Sequence, residues 1–310
     1  MVEKEIKYSY SRLETYDQCP FRYFLKYIEG YYSKTSSIAL DFGTLVHSIE
    51  EKIGNCIKDS KEIPYQDLIK EFNGKCAVIA KKYPKDFIEK DKSDRTYEEK
   101  INFYLSTGIY RLEKFMKENP DLEIIGTEVP FTFKYHGQQT FRGFIDRILR
   151  NKVTNQYIIQ DIKTYAVPLE HDKLVTPLQF VVYCWAMCEK YPVDPTTIIC
   201  QYDLPLCDIT QDAGTKGFIG RGSMKLDKLF DKIYSKEWTP KASPLCTWCD
   251  YSSKNQNADN STKWLCPYHM NWTRDNKCFE KENEWQGLDK HQSILEAYHR
   301  YYDIGENYGK

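Results

Sequence analysis

The chain has no run of about 18 apolar residues, so no membrane-spanning helix is predicted among its 310 residues. Its first residues, Met1-Val2-Glu3-Lys4-Glu5, lack the apolar stretch of a secretory leader, and a soluble, cytoplasmic chain is expected. It has no excess of either charge. The 44 Lys and Arg against 45 Asp and Glu leave a net charge of −1, which argues against a protein that coats nucleic acid non-specifically. A local basic groove remains compatible with that balance. No G-x-x-x-x-G-K-[ST] stretch occurs, so the chain carries no recognisable nucleotide-driven motor. No internal repeat is seen either.

What is present is an ordinary apolar content of 41%, enough for a core, and many aromatics at 15%, with 25 tyrosines. Most such rings pack cores, and some stack on bases. Eleven cysteines in an intracellular chain are poor disulfide candidates; thiolates held by metal, or plain buried thiols, fit better.

Ser11-Arg12-Leu13-Glu14 reads as a capping box opening a helix through Tyr16, interrupted at Pro20 just after Cys19. A second helix is predicted over 40–57, where Val46, Ile49, Ile53 and Ile57 recur at helical spacing beside His47. Residues 65–119 read as charged helices with a break at Tyr83-Pro84. Strand character begins at Leu122 and runs through Phe133. A helix over 177–191 and a strand over 196–204 follow. From Thr239 the chain is irregular and cysteine-rich, ending in a charged, aromatic tail. The expected organisation is N-terminal helices (1–64), a helical insertion (65–120), an α/β core (121–238) and a cysteine-rich region (239–310).

Two short stretches concentrate the chemistry: Gly143-Phe144-Ile145-Asp146-Arg147-Ile148 and Ile159-Gln160-Asp161-Ile162-Lys163-Thr164. Each reads as a strand, with the turn-like Asn151–Asn155 run between them. A hairpin of this kind brings Asp146 and Asp161 to one end of a sheet. The strand period then places Asp161 and Lys163 on one face, with Ile162 pointing away. Two carboxylates suit a hard divalent cation, with the Ile162 carbonyl as a further oxygen, and Lys163 would sit near the attacking water or phosphate. A metal nearby and partial burial would hold its ammonium in position and could lower its pKa. A lone D-x-K is common, and an Asp in a strand is more often a solvated edge residue. The combination with a helix carrying Gln179 and Tyr183 at i, i+4 points to metal-dependent phosphodiester cleavage, although that pair also fits ordinary helix packing. Arg142, Arg147 and Lys173 are the candidates for the path of nucleic acid.

These motifs closely resemble the RecB-like branch of the PD-(D/E)XK nucleases. The N-terminal element is matched by Ser11, Glu14, Tyr16, Cys19, Pro20 and Tyr23, and the G-x-x-x-H helix by Gly43 and His47. The G-x-I-D strand is matched by Gly143, Ile145 and Asp146, the D-x-K strand by Asp161 and Lys163, and the Q-x-x-x-Y helix by Gln179 and Tyr183. The resemblance implies a restriction-endonuclease-like α/β core, a mixed central sheet flanked by helices. It makes His47 a metal ligand with Asp146 and Asp161, Lys163 the catalytic lysine, and Glu128 a further acidic position. It implies Mg²⁺ or Mn²⁺ as cofactor, DNA single strands or ends as substrate, and a helicase or recombination protein as partner. The rival reading is a nuclease-fold DNA-binding or scaffolding subunit that cuts poorly.

Cys246-Thr247-Trp248-Cys249 is a C-x-x-C pair, and Cys266 follows seventeen residues after Cys249. In AddB-type and CRISPR-associated four-cysteine nucleases, one N-terminal and three C-terminal cysteines hold an iron–sulfur cluster. The resemblance therefore implies a [4Fe–4S] cluster on Cys19, Cys246, Cys249 and Cys266. The polar loop between Cys249 and Cys266 is longer than usual in the family, which leaves Cys278 and His269 as substitutes for the fourth ligand. Structural Zn²⁺ is the alternative metal. Cys56, Cys76, Cys184, Cys188, Cys200 and Cys207 are read as buried small residues.

Overall fold

The computed structural model describes residues 6–32, 36–241, 243–252 and 266. The chain forms two compact units, residues 11–36 with 229–310, and residues 1–10 with 37–228.

In the smaller unit, α1 (Tyr10–Gln18) and α2 (Pro20–Tyr23) are split at Cys19. Pro20 has no N–H for the preceding turn, and its ring disfavours helical backbone at the residue before it. Cys19 is accordingly extended, with φ −159° and ψ 109°. The helix starts at Tyr10, so Ser11 lies inside the first turn rather than at the cap, and its carbonyl accepts the Thr15 hydroxyl at 2.8 Å. Trp238 ties in the later segment. It stacks on Tyr23 (5.7 Å, 15°) and meets Tyr16 edge-on (6.0 Å, 79°), while the Tyr16 hydroxyl donates to the Glu237 carbonyl at 2.8 Å. Each such aromatic pair adds about 0.5–1.5 kcal/mol beyond its area burial. A short 3₁₀ turn, Pro244–Trp248, is capped by Ser243, whose hydroxyl accepts the Leu245 amide at 3.3 Å.

The larger unit is built on a mixed sheet of β1 (Lys7–Tyr8), β2 (Leu122–Tyr135), β3 (Gln139–Asn151), β4 (Tyr157–Ile162), β5 (Ile199–Leu204) and β6 (Ile209–Ala213). One edge of β3 pairs antiparallel with β2 along its length. Its other edge is shared: β1 pairs with it in parallel at Thr140 and Phe141, and β4 antiparallel from Arg147 to Arg150. Among the described residues no strand pairs with this edge of β3 across 142–146. The β3–β4 turn is made by Asn151, whose side-chain oxygen accepts the Val153 and Thr154 amides at 2.9 Å each, with Asn155 at φ +59°. β4 then runs parallel to β5, and β6 returns antiparallel at the edge.

Helix α3 (Ile38–Lys58) follows the predicted stripe: Val46, Ile49 and Ile53 are fully buried. With α4 (Tyr65–Lys82), α6 (Tyr97–Ser106), α7 (Arg111–Glu118) and sheet residues Ile124, Leu149 and Ile158 it forms one hydrophobic core. The short α5 (Pro84–Ile88) begins at the predicted Tyr83-Pro84 break. Gly54 permits the close approach of α3 to β2, because a Cβ there would lie 2.5 Å from the Thr127 methyl. Beyond β4 come α8 (His171–Val175), α9 (Leu178–Lys190) and α10 (Phe218–Tyr234), the last continuing into residues of the other unit. None of the helices described is long and apolar enough to cross a membrane.

Candidate active site

Asp146 lies where β3 and β4 part. The register that pairs Arg147 with Gln160 would set Asp146 opposite Asp161. Instead of a backbone bond at this point, the Asp146 Oδ2 accepts the Ile162 amide at 2.7 Å. The same oxygen lies 3.6 Å from His47 Nδ1, and Glu128 Oε1 lies 3.7 Å from that nitrogen on its other side. His47, Glu128 and Asp146 thus bring one ligand atom each within 4.8 Å of one another. Glu128 reaches this position through its backbone: in β2 it stands between Thr127 and Val129, and its φ of +46° is a left-handed conformation rare for a residue with a Cβ. Strain of this kind costs on the order of 1–3 kcal/mol and persists only where surrounding structure enforces it.

Asp161 is 1% exposed. Its Oδ1 accepts Gln179 Nε2 at 2.6 Å and the Tyr183 hydroxyl at 3.5 Å, and Gln179 Nε2 is also 2.8 Å from the Tyr183 oxygen. Lys163 Nζ donates to Gln179 Oε1 at 3.0 Å and stands 2.7 Å from Asp161 Oδ2. That second approach is short in distance and badly aimed, so Asp161 Oδ2 is buried without a directed hydrogen bond. Gln179 and Tyr183 therefore meet Asp161 and Lys163 as a bridge, one turn apart on α9.

The electrostatics follow from this crowding. Burial, then the neighbouring Asp161 charge, push the Asp146 pKa well above the usual carboxylate range. Burial opposes a charge on His47, yet Glu128, Asp146 and Asp161 together outweigh it and raise its pKa. Lys163 is raised rather than lowered: burial acts in the expected direction, but the Asp161 charge and contact overcome it. Its side chain is held as an ammonium. Tyr183, buried against the same acids, stays a neutral hydrogen-bond donor.

Three carboxylates and an imidazole make a hard donor set suited to Mg²⁺ or Mn²⁺. The buried, undirected Asp161 Oδ2 beside the His47–Glu128–Asp146 group fits the residues to such an ion.

Beneath this site runs a buried polar clamp that the sequence did not disclose. Arg147, 1% exposed, donates to Gln160 Oε1 and Asp203 Oδ2, each at 2.9 Å, and to Glu50 Oε2 at 3.1 Å. Glu50 also accepts the Tyr104 hydroxyl at 2.9 Å, and Arg111 Nε donates to Asp203 Oδ1 at 2.8 Å. Three members adjoin a site residue in sequence: Arg147 follows Asp146, Gln160 precedes Asp161, and Glu50 lies one turn after His47. The Asp203 carbonyl accepts the Lys163 amide at 2.8 Å. This corrects the reading of Arg147 as part of a nucleic-acid path, because its guanidinium is fully enclosed. Arg142 and Lys173 are exposed. The available signal was an acid, Glu50, set inside the apolar stripe of α3.

In the smaller unit, Cys19, Cys246, Cys249 and Cys266 line one cavity with Phe21, Leu25 and Tyr251. The Lys241 amide approaches Cys19 Sγ at 3.5 Å. Burial pushes the Cys249 thiol up to about 11. Cys278 and His269 lie outside the described residues. Of the remaining cysteines, Cys76, Cys184 and Cys200 are buried, whereas Cys56, Cys188 and Cys207 are partly exposed. Cys184 has a thiol neighbour in Cys200, 3.5 Å away.

The chain belongs to the PD-(D/E)XK nuclease superfamily, whose family model matches residues 7–253. It is also similar, distantly, to one subunit of an ATP-dependent helicase/deoxyribonuclease from Clostridium perfringens (strain SM101 / Type A). The two are 29% identical over 199 residues, 57% of this chain and 17% of that protein. The same subunit from strain 13 / Type A is 29% identical over 140 residues, 42% of this chain and 12% of that one. The chain thus spans less than a fifth of the length of these curated relatives. The crystal structure of SSO0001 aligns over 77% of this chain and 89% of that one at 15% identity, with a TM-score of 0.28.

Proposed function

We propose that this chain is a divalent-metal-dependent deoxyribonuclease, an exonuclease on single strands or DNA ends, serving recombination, end processing or the DNA metabolism of a phage or mobile element. The observation that carries the reading is the buried Asp161 with its undirected Oδ2, set between Lys163 and the His47–Glu128–Asp146 group. In this reading His47, Asp146 and Asp161 would hold Mg²⁺ or Mn²⁺, with Glu128 and the Ile162 carbonyl as further donors. The metal would supply charge stabilisation at the phosphoryl oxygens and lower the pKa of a water. Lys163 presents its ammonium to the phosphate or the attacking water. Gln179 fixes Lys163 and Asp161 relative to one another, and Tyr183 steadies that arrangement. DNA as substrate and a helicase as partner are supported by the name of the similar helicase/deoxyribonuclease subunit. A scaffolding subunit that does not cut is the second reading, and the complete set of acids and lysine speaks against it.

The deciding experiment is digestion of end-labelled single- and double-stranded DNA with Mg²⁺, Mn²⁺ or EDTA. Cutting that requires metal supports the enzyme, and the surviving label reports its polarity. Intact protein that binds DNA and never cuts would turn the reading to the scaffold.

The same proposal includes a [4Fe–4S] cluster on Cys19, Cys246, Cys249 and Cys266. The reading is supported by the four cysteines lining one cavity, one from the N-terminal and three from the C-terminal part of the chain, with structural Zn²⁺ as the alternative. Protein purified without oxygen is expected to be brown, with broad absorbance near ~400 nm. Colourless protein with stoichiometric zinc would replace the cluster with Zn²⁺.

A further inference from the structure

We propose that strand β3 seats a single strand of DNA, with Phe144 stacking on a base beside the carboxylates and Arg142 holding the backbone beyond it. The inference rests on the nuclease reading of the same site and adds the residues that would seat a single strand there.

Alternation along β3 puts Arg142 and Phe144 in phase with Asp146. Phe144 is 56% exposed and Arg142 is exposed, whereas Phe141 and Ile145 are buried. Across the hairpin Pro130 faces Phe144, Thr132 faces Arg142 and Lys134 faces Thr140. Pro130, Thr132 and Lys134 are all exposed. A rise of about 3.3 Å per residue sets Phe144 about 7 Å from Asp146 and Arg142 about 13 Å from it. Among the described residues no strand pairs with β3 between its pairings with β1 and β4, across these same positions. The floor under Phe144 is firm. At Gly143 a Cβ would come 2.7 Å from the Phe131 ring, which itself packs edge-on against Tyr183 at 5.9 Å.

A lone exposed ring ordinarily needs no explanation. This one stands two residues along the strand from Asp146, with Arg142 and Lys134 as the cations in line. An aromatic face accepts an unpaired base of any sequence. In a duplex those base faces are already stacked, and the cations alone would attract duplex and single strand alike. The chemistry therefore favours a strand with free bases.

The test is fluorescence-anisotropy titration of labelled oligo(dT), an equal-length duplex and oligo(U) in EDTA, where binding is read without cutting. Phe144→Ala is expected to weaken oligo(dT) binding about tenfold or more, from the usual contribution of one stacked base, while duplex binding changes less than about twofold. Phe144→Trp should restore it. Arg142→Gln should lower the slope of log K against log salt by about 0.7, the loss of one phosphate contact on a single strand. Unchanged melting of the variants shows that the surface, not the fold, was altered. Equal loss on duplex and single strand, or no loss with Phe144→Ala, overturns the proposal even if metal-dependent cutting is intact. Oligo(U) bound more than about tenfold tighter than oligo(dT) would overturn the assignment to DNA. Loss of a dimer with Phe144→Ala and unchanged DNA binding would instead make this face a contact between copies. Absence of cutting alongside the expected binding losses would remove the nuclease reading and leave the strand seat standing.

Discussion

Lys163→Met is expected to slow metal-dependent cutting by on the order of 10²–10⁴-fold, the usual contribution of a positioned acid–base or charged group, without loosening the hold on Mn²⁺. The Lys163 ammonium stands 2.7 Å from Asp161 Oδ2, the oxygen that a metal would use, so removing it takes away a competitor for that site. Asp161→Asn should do the reverse and lose both affinity and cutting, because a neutral amide oxygen is a weaker ligand than a carboxylate. Both variants should fold, since Gln179 and Tyr183 still have hydrogen-bonding partners at position 161. Titration calorimetry with Mn²⁺, set against cleavage rates at saturating metal, separates the two effects. Wild-type cutting by Lys163→Met would remove the lysine from the chemistry. Wild-type Mn²⁺ affinity in Asp161→Asn would leave only the His47–Glu128–Asp146 group as the metal site.

The parts of the site legible in the sequence were those set by short-range rules. Period two along 143–148 and 159–164, with an Asn-rich turn between, is enough to bring Asp146 near Asp161. The i, i+4 spacing is enough to put Gln179 and Tyr183 on one face of α9. The mixed sheet flanked by helices follows from the same pattern and from the resemblance built on it. Without a metal, the Lys163 charge is set by the Asp161 partner 2.7 Å away rather than by burial, and that opposition of two effects is not written in the local sequence. Glu128 meets His47 only because one backbone position adopts φ +46°, and no local signal marks a glutamate for that conformation. The clamp was hidden by distance along the chain: Glu50 and Asp203 lie 97 and 56 residues from Arg147. The two-residue β1 is too short to carry a periodic signal, while α10 does carry one, with Phe218, Leu226, Leu229 and Phe230 buried, and was passed over.

Arg147→Met is expected to destabilise the protein by about 3–5 kcal/mol, the cost of leaving buried charges without their partner. Against a total of roughly 5–15 kcal/mol for a folded domain, that is a large fraction. The guanidinium is the common donor to Glu50, Asp203 and Gln160, and Met fills similar volume while donating nothing. The deficit should grow with pH. Burial already holds the Glu50 pKa up at about 7, above its ordinary value of 4.5, and the Arg147 charge is the chief influence lowering it. Without Arg147 the folded-state value rises further. A carboxyl with a raised folded-state pKa supports folding fully below its unfolded value, and that support is lost as pH rises through the folded value. Glu50 stays protonated in both folded proteins below about 7, so the urea midpoints of wild type and variant should differ by a constant amount there and diverge as pH rises through and above that value. Removing both partners, in Glu50→Leu with Arg147→Met, should recover part of the loss, since an apolar replacement leaves one fewer buried charge unpaired. An Arg147→Met cost under about 1 kcal/mol, or one independent of pH, would show that the clamp does not hold the helix bearing His47 to the strands bearing the acids. If the clamp does hold them, the surviving folded variant should also bind Mn²⁺ more weakly, because Asp146 and His47 would each lose the neighbour that fixes its backbone.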